Sequence, residues 1–285
     1  MIKGKDISPE VLQKVKEKEF EILCAFDDFC KENDIKYSLA YGTLLGAVRH
    51  GGFIPWDDDI DIIMNKENFD KLVSAWEVKH PDNLLLQNKD IDHDYSQTFT
   101  KIRLNNTTFL QEGEENSNYH KGIFIDIFLF RRGPQTKSEK FFFKIKGLFF
   151  LLYAREFVPP KASAPVKLFS KFFLSIVPKS KHYAIYNKLN KGFEKKYTEN
   201  TRPLYNYSVI EDFSCPYPPD IFDEYTTVEF EGRTFPAIKE CDMILRIWFD
   251  DYMQLPPEEE RVWAHSPIII DFERNYEDIK NVGTD

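Results

Sequence analysis

The chain has 285 residues, of which 42% are hydrophobic and 30% are charged, and its net charge is −9. This composition is typical of a globular protein of one large or two small domains. No run approaches the ~18 apolar residues that a membrane-spanning helix needs, and no apolar signal segment is visible, so the sequence predicts neither. The chain has four cysteines, Cys24, Cys30, Cys215 and Cys241, and they form no CxxC pair. This usage predicts a reducing, cytoplasmic compartment.

The charge is unevenly distributed along the chain. From Lys137 to Lys196 there are 14 Lys and Arg residues against 3 Asp and Glu residues, a local charge of +11 that leaves −20 for the rest. This basic segment is also rich in aromatic residues. We therefore expect it to face an anionic surface.

The first predicted helix begins after Ser8, which can cap it, and Pro9 suits the first helical position. Asn33 and Asp34 end it. One apolar face recurs at helical spacing: Leu12, Val15, Ile22, Leu23, Phe26, Phe29 and Cys30. The pattern predicts a helix with one buried face.

A short strand, 35–40, is predicted next, followed by a turn at Gly42 and Thr43 and a short helix over 44–48. The turn has two interpretations. Gly42 can serve only as a tight turn. Alternatively, it lets the backbone approach a phosphate, and Thr43 adds a hydroxyl at a helix N-terminus, where anions bind.

An acidic run, Asp57–Asp59, leads into the apolar segment 60–64. Residues i and i+2 of a strand point to the same face, so Asp59 and Asp61 project together. Such a run can be a solvated turn. Acids at the start of a buried strand, however, need a partner, and oxygen ligands of this kind favour Mg²⁺ or Mn²⁺. Trp56, beside them, is either core or a wall of the ligand pocket.

Two later strands carry charges. The segment 99–104 places Lys101 and Arg103 on one face, either as the solvated face of an edge strand or as a clamp on phosphates. The strand 122–130 is the most hydrophobic in the chain and has Asp126 in its middle. Asp126 is either a third member of the Asp59 and Asp61 cluster or a buried acid satisfied by backbone donors.

The basic segment contains two strongly apolar helical stretches, 141–153 and 167–177, both too short to span a bilayer. One interpretation is a buried helical hairpin that covers the sheet. The other is an interfacial surface, whose Phe and Leu residues insert into a membrane while Lys pairs with anionic lipid. A further helix is predicted over 183–197.

The order Gly42-Thr43 and then Asp59-Ile60-Asp61-Ile62 resembles the nucleotidyltransferase superfamily. The wider run YGTLLGAVRHGGFIPWDDDIDI resembles the LicD family more closely, including the 17 residues that separate Gly42 from Asp59. The segment 225–272 resembles the C-terminal pattern of that family. The resemblance makes His265 a candidate ligand contact, although it can also be an ordinary surface histidine.

The resemblance implies an α+β fold with a nucleotidyltransferase-like mixed β-sheet core flanked by helices. It implies a catalytic core over 1–136, an inserted helical basic-aromatic segment over 137–200, and a C-terminal part over 201–285 that completes the active site. Together with the cysteine usage it predicts a cytoplasmic enzyme, and the interfacial interpretation of the basic segment would attach it peripherally to the inner face of the membrane.

The implied reaction transfers phosphocholine from CDP-choline to a sugar hydroxyl of a cell-surface glycan or its lipid-linked precursor and releases CMP. Mg²⁺ or Mn²⁺ would neutralise the diphosphate. The predicted metal and catalytic residues are Asp59, Asp61 and Asp126. The predicted substrate-binding residues are Gly42, Thr43, Arg49, Trp56, Lys101, Arg103 and His265.

Several alternatives stay open. The donor can be another CDP-alcohol, such as CDP-ribitol or CDP-glycerol, or the protein can be a true nucleotidyltransferase, a two-metal nuclease, or a membrane-docking scaffold without activity. The acidic surroundings of the site argue against a nucleic-acid partner. A choline group would need an aromatic cage, for which Tyr41, Trp56, Tyr252 and Trp263 are candidates.

Overall fold

The structure is a computed structural model that describes residues 1–3, 8–157, 163–263, 265 and 267–282. The chain divides into two units. The first unit contains Met1–Gln87, Lys101–Phe128 and Ile221–Asp285, and the second contains Asn88–Thr100 and Leu129–Asp220. The sequence predicted three domains, over 1–136, 137–200 and 201–285. The division into two units does not test these boundaries, so they stay a prediction.

The first half of the chain supplies most of the strands. Its elements are β1 (Ile2–Lys3), α1 (Pro9–Glu32), β2 (Ser38–Leu39), α2 (Tyr41–His50), β3 (Asp61–Asn65), α3 (Lys66–Val78), β4 (Leu84–Gln87), β5 (Thr100–Leu104), β6 (Thr108–Gln111) and β7 (Phe124–Arg132).

The second half is richer in helices. Its elements are α4 (Lys137–Arg155), α5 (Ala164–Ile176), α6 (His182–Lys196), β8 (Leu204–Asn206), β9 (Tyr225–Phe230), β10 (Arg233–Ile238), α7 (Cys241–Phe249), β11 (Pro267–Asp271) and α8 (Tyr276–Val282). None of the helices in the described ranges is both long and apolar enough to cross a membrane.

The strands form three sheets. The largest has the order β2-β3-β7-β5-β4, and β8 pairs with the C-terminal end of β7. A second sheet has the order β1-β11-β6, and β9 and β10 form an antiparallel hairpin. The molecule is therefore a mixed α/β protein with helices beside its sheets, which confirms the predicted fold class at that level.

Helix α1 confirms the predicted bounds of the first helix, with Ser8 at the N-cap position and Asn33 at the C-cap. The Ser8 side chain makes no capping hydrogen bond, and only its carbonyl accepts from the N–H groups of Val11 and Leu12, at 3.0 Å. The predicted apolar face is buried. Three charged residues are buried on the same helix: Lys16, Glu19 and Asp27.

The segment after α1 differs from the prediction. The strand is shorter than predicted, since only Ser38 and Leu39 pair with β3. Gly42 and Thr43 do not form a turn, because α2 already begins at Tyr41. The helix ends at Gly51, whose φ of 71° is in the left-handed region that glycine adopts readily.

Helix α4 packs its inner face into the core of the second unit. Phe143 and Phe150 are buried there among aromatic side chains of α6 and β8. The capping box between Thr136 and Glu139 fixes the start of the helix. One face of α4 is therefore buried, as the hairpin interpretation requires of that helix. Helix α5 differs, because Ser170 is its one buried residue.

Candidate active site

The predicted acids lie at the start of β3 and on its neighbour β7. Asp61 is the first residue of β3, Asp59 lies two positions before the strand, and Ile60 and Ile62, which alternate with them, are fully buried. The backbone N–H of Asp126 on β7 donates to the carbonyl of Ile60 at 2.8 Å. The pairing of β3 with β7 therefore brings all three acids to one region of the sheet.

The carboxylates of Asp57, Asp58 and Asp59 lie within 4.8 Å of one another and form a trio that could hold a metal ion. Among the described residues this is the trio that meets that spacing, and it differs from the predicted trio of Asp59, Asp61 and Asp126. We call the residues Asp57, Asp58, Asp59, Asp61 and Asp126 the acid cluster. Its members act on one another electrostatically, since Asp59, Asp126 and Asp57 all raise the pKa of Asp61 beyond the effect of its burial.

Within the acid cluster, Asp57 retains its proton at neutral pH in the absence of a cation. Burial, together with the charges of Asp59 and Asp58, raises the pKa of Asp57 to about 8. Burial also raises the pKa of Asp59 to about 6, although the positive charge of His265 opposes the rise. At this spacing the negative charges of these carboxylates repel one another, which favours the protonated forms.

Lys101 and Arg103 lie on one face of β5, as predicted, because both stand over the ring of Phe124 at 3.1 and 5.0 Å from its centroid. Lys101 Nζ donates to Asp126 Oδ1 at 2.6 Å, and Arg103 Nε donates to Gln87 Oε1 at 2.9 Å. Both residues are buried, so the interpretation as a solvated edge face is wrong. Strand β5 lies between β7 and β4.

His265 connects the C-terminal segment to the acid cluster. Its backbone N–H donates to Asp58 Oδ2 at 3.0 Å, and its ring Nδ1 lies 3.4 Å from Asp58 Oδ1 and 3.7 Å from Asp59 Oδ2. Burial alone would lower the pKa of His265, but the contact with Asp58 and the charge of Asp59 raise it overall. His265 is therefore not an ordinary surface histidine.

Arg49 and Trp56 contact the C-terminal part of the first unit. Arg49 Nη1 donates to the carbonyl of Tyr252 at 2.7 Å, which ties the end of α2 to that segment. The guanidinium of Arg261 lies 5.2 Å from the centre of the Trp56 ring. The predicted contacts of both residues with substrate stay predictions.

Thr43 holds the first residue of β3, since its Oγ1 accepts a hydrogen bond from the backbone N–H of Asp61 at 2.8 Å. Gly42 lies against the acid cluster, because a Cβ atom added there would be 2.3 Å from Asp57 Oδ2. Gly42 and Thr43 of α2 therefore help to hold Asp57 and Asp61 of the acid cluster in place. Their predicted contact with a phosphate stays a prediction.

Two residues of α1 belong to the surroundings of the site and were missed in the sequence. Glu19 is 1% exposed, its Oε2 atom has no hydrogen-bond partner within the described ranges, and burial and the acid cluster raise its pKa. Lys16 Nζ donates to the carbonyls of Ile54 and Pro55 at 3.0 and 3.1 Å. Both are charged residues on the buried side of α1, which is the signal that could have revealed them.

The donor set fits a divalent cation that prefers oxygen. The acid cluster and Glu19 supply six buried or half-buried carboxyls, and the positive groups that act on them are Lys16, Lys101 and His265. Mg²⁺ and Mn²⁺ take carboxylate ligands of this kind. A bound cation would offset both the burial and the mutual repulsion that raise the pKa values of Asp57, Asp59 and Asp61.

The substitution Gly42→Ala tests the close approach to Asp57. Alanine is a better helix former than glycine, so the fold should persist, but the new methyl group must displace the Asp57 carboxylate. We expect the activity that depends on the acid cluster to fall by up to about 100-fold, as misplacement in an active site does. The matched control is Gly192→Ala in α6, where a Cβ meets nothing within 4 Å. That control should keep full activity, and equal loss in both variants would contradict the role of Gly42.

The pH dependence of stability tests the acid cluster directly. The pKa values of Asp57 and Asp59 are raised in the folded protein, so between about pH 4 and pH 8 the folded state holds protons that the unfolded state has lost. The thermal midpoint of the metal-free protein should therefore fall as the pH rises through this range. Excess Mg²⁺ should reduce the fall. A midpoint that rises over the same range in a chelator would contradict this assignment.

An oxygen-rich acid cluster on two neighbouring strands, β3 and β7, and on the segment that leads into β3 defines a candidate cation-binding site of a mixed α/β protein. The sequence model described as "LicD/FKTN/FKRP, nucleotidyltransferase domain" matches residues 34–169, a range that contains the whole acid cluster. Residues 34–169 thus match the LicD family, which confirms the predicted resemblance over that range.

Similar proteins are found in two groups of bacteria. The lipopolysaccharide cholinephosphotransferase LicD of Haemophilus influenzae is 29% identical over 259 residues, which cover 86% of this chain and 92% of that protein. An uncharacterized protein of Rickettsia prowazekii is 47% identical over 49 residues, which cover 17% of this chain and 18% of its own. An uncharacterized protein of Rickettsia typhi has the same identity over 49 residues, 17% of this chain and 16% of its own.

Proposed function

We propose that the protein transfers phosphocholine from CDP-choline to a sugar hydroxyl of a cell-surface glycan or its lipid-linked precursor, and releases CMP. The protein is a LicD-type phosphotransferase. The acid cluster is the observation that carries this proposal, because a nucleoside diphosphate donor needs a cation held by carboxylates. The name of the Haemophilus influenzae relative supports both the transferred group and a glycan acceptor.

Asp59, Asp61 and Asp126 would hold Mg²⁺, or Mn²⁺, with Asp57 and Asp58 close enough to contribute. When bound, the metal ion would neutralise the donor diphosphate and the departing CMP. The sugar oxygen forms a bond to the phosphorus distal to the nucleoside, and the bond from that phosphorus to CMP breaks. The proton of the sugar hydroxyl goes to a carboxylate of the acid cluster.

The other side chains keep this arrangement in place. Lys101 holds one carboxylate oxygen of Asp126, and Thr43 holds the backbone at Asp61. His265 is positioned to balance the negative charge of Asp58 and Asp59. We also assign the largest sheet to the nucleotidyltransferase-like fold, because the family is described by that domain and Asp61 and Asp126 occupy its neighbouring strands β3 and β7.

The test is a donor comparison in the presence of Mg²⁺ and a glycan acceptor. Purified protein is incubated with CDP-choline, CDP-ribitol or CDP-glycerol, and CMP release and the mass of the glycan product are measured. We expect CMP and a product heavier by one phosphocholine. Preference for a CDP-polyol would replace choline as the transferred group. Consumption of a nucleoside triphosphate with release of pyrophosphate would instead indicate a true nucleotidyltransferase.

We also propose that the second unit binds an anionic membrane surface. Helix α5 is apolar but almost entirely exposed: Leu168 is 72%, Phe172 is 55% and Ile176 is 55% exposed. These three residues recur every four positions and form one stripe. Together α4 and α5 carry seven Lys and Arg residues and one acid, Glu139, which is used in the cap. An apolar stripe beside lysines is suited to an interface of anionic lipids.

Vesicle sedimentation tests this surface. The protein should bind vesicles that contain phosphatidylglycerol, and high salt or purely phosphatidylcholine vesicles should weaken the binding. The double variant Leu168→Glu and Phe172→Glu should lose it, whereas Val78→Glu should not. Val78 is a suitable control because it is an apolar residue of α3 that is 86% exposed. Equal binding of all variants, or a dimer that the double variant breaks, would contradict a membrane role.

A further inference from the structure

Three aromatic side chains of the first unit gather at the N-terminus of α2. The ring of Tyr41 lies 4.3 Å from that of Trp248 at an interplanar angle of 37°, and 5.2 Å from that of Phe128 at 79°. All three residues are half-buried, so each ring keeps part of its surface accessible. We call these three residues the aromatic cluster.

Two members of the aromatic cluster lie one or two positions from residues at the acid cluster. Tyr41 immediately precedes Gly42, against which the Asp57 carboxylate rests. Phe128 lies two positions after Asp126 on β7, so both side chains leave the strand on the same face. A ligand whose phosphates lie at the acid cluster therefore has these rings within reach of its next few atoms.

The backbone at Tyr41 is strained. Its φ of 43° is in the left-handed region, which bulky residues other than glycine rarely adopt. The residue is nevertheless the first of α2, and its ring contacts both other members of the cluster. Strain of this kind persists where the surrounding structure fixes it, and it is concentrated at ligand sites.

Two other aromatic residues that the sequence offered for a cage already have a cation at the ring. The guanidinium of Arg261 lies 5.2 Å from the Trp56 ring, and that of Arg246 lies 5.7 Å from the Tyr252 ring. The hydroxyl of Tyr252 also donates to Asp242 Oδ1 at 2.8 Å. Like charges repel, so a second cation is disfavoured at either ring.

We infer that the aromatic cluster binds the quaternary ammonium group of the donor's choline. This inference rests on the proposed function, since it assumes a donor whose diphosphate lies at the acid cluster. Trimethylammonium is recognised by the faces of aromatic rings, with Trp and Tyr the strongest partners. A polyol has no positive charge and gains nothing from such rings. The cluster thus makes choline, rather than ribitol or glycerol, the preferred transferred group.

The test compares two ligands of the same shape that differ in charge. CDP-choline is the first, and the second is CDP-3,3-dimethylbutanol, in which a carbon replaces the ammonium nitrogen. Binding of both is measured by calorimetry with Mg²⁺. We expect the wild type to prefer CDP-choline, and Trp248→Leu to reduce that preference roughly 3- to 30-fold, as loss of a cation–π partner does.

Two further variants separate recognition from folding. Trp248→Phe keeps a ring and should recover part of the preference, and thermal midpoints report whether each variant folds. Phe249→Leu is the matched control, because Phe249 is the next residue of α7, is 39% exposed and lies outside the cluster. It should leave the preference unchanged.

The outcomes distinguish this inference from the proposed function. Tight binding of CDP-choline that Trp248→Leu leaves unchanged would overturn the inference and leave the transferase proposal intact. Equal affinity of the wild type for the two ligands would do the same. Failure of the wild type to bind either ligand would overturn both.

Discussion

The variant Asp61→Asn is expected to lose CMP release by roughly a hundredfold or more, the size of effect seen when one electrostatic group is removed from an active site. Asparagine keeps the shape of the side chain and the backbone contact with Thr43. It removes the negative charge that a cation needs. Because burial and Asp59 already raise the pKa of Asp61, the neutral side chain should also stabilise the metal-free protein.

Activity and stability should therefore change in opposite directions in this variant. The measurements are CMP release with Mg²⁺ and the thermal midpoint in a chelator at about pH 8. Asp70→Asn is the control, since Asp70 is 58% exposed and is paired with Lys66 on the surface of α3. A variant at position 61 with wild-type CMP release would show that the acid cluster does not hold the metal.

The variant Lys101→Met is expected to destabilise the protein by about 3–5 kcal/mol, because it leaves Asp126 buried without its partner. The two side chains are 3% and 5% exposed, and their charged atoms are 2.6 Å apart. A loss of this size lowers a thermal midpoint by about 10 °C. The double variant Lys101→Met and Asp126→Asn should recover much of it, because no charge is then left unpaired.

The matched control for this pair is Lys66→Met. Its partner Asp70 is exposed, and an exposed ion pair contributes about 1 kcal/mol or less. The midpoints of all four proteins are compared under the same conditions. A double variant as unstable as Lys101→Met would mean that Lys101 acts mainly through its packing on Phe124.

The parts of the site that follow from local pattern could be predicted. The alternation around Ile60 and Ile62 placed Asp59 and Asp61 together, and the strand pattern buried Asp126. Each of these depends on residues close in sequence, where periodicity is informative.

The contacts between distant residues could not be predicted from pattern. His265 meets Asp58 across 207 positions, and only the family resemblance indicated it. Glu19 was visible as a charge within an apolar helical face, but nothing in α1 indicates that Asp57 and Asp59 lie opposite. The start of α2 was missed because glycine usually favours a turn, whereas here Gly42 is required for the approach of Asp57.

The exposure of α5 could not be predicted from the sequence either. The same pattern of Leu, Phe and Lys is typical of a helix packed into a core and of one that lies on lipid. The two differ in what covers the apolar face. In the structure the apolar face of α5 is not packed into a core, since Leu168 and Phe172 are exposed.

The sheet of β1, β11 and β6 has a consequence for biosynthesis. Strand β11 at residues 267–271 is the middle strand, and β1 and β6 leave the ribosome long before it. Until β11 emerges, both earlier strands present edges that can pair with other nascent chains. The same delay withholds His265 from Asp58. Late translation of this strand therefore links protection from aggregation to completion of the ligand site, and truncated chains should depend on chaperones.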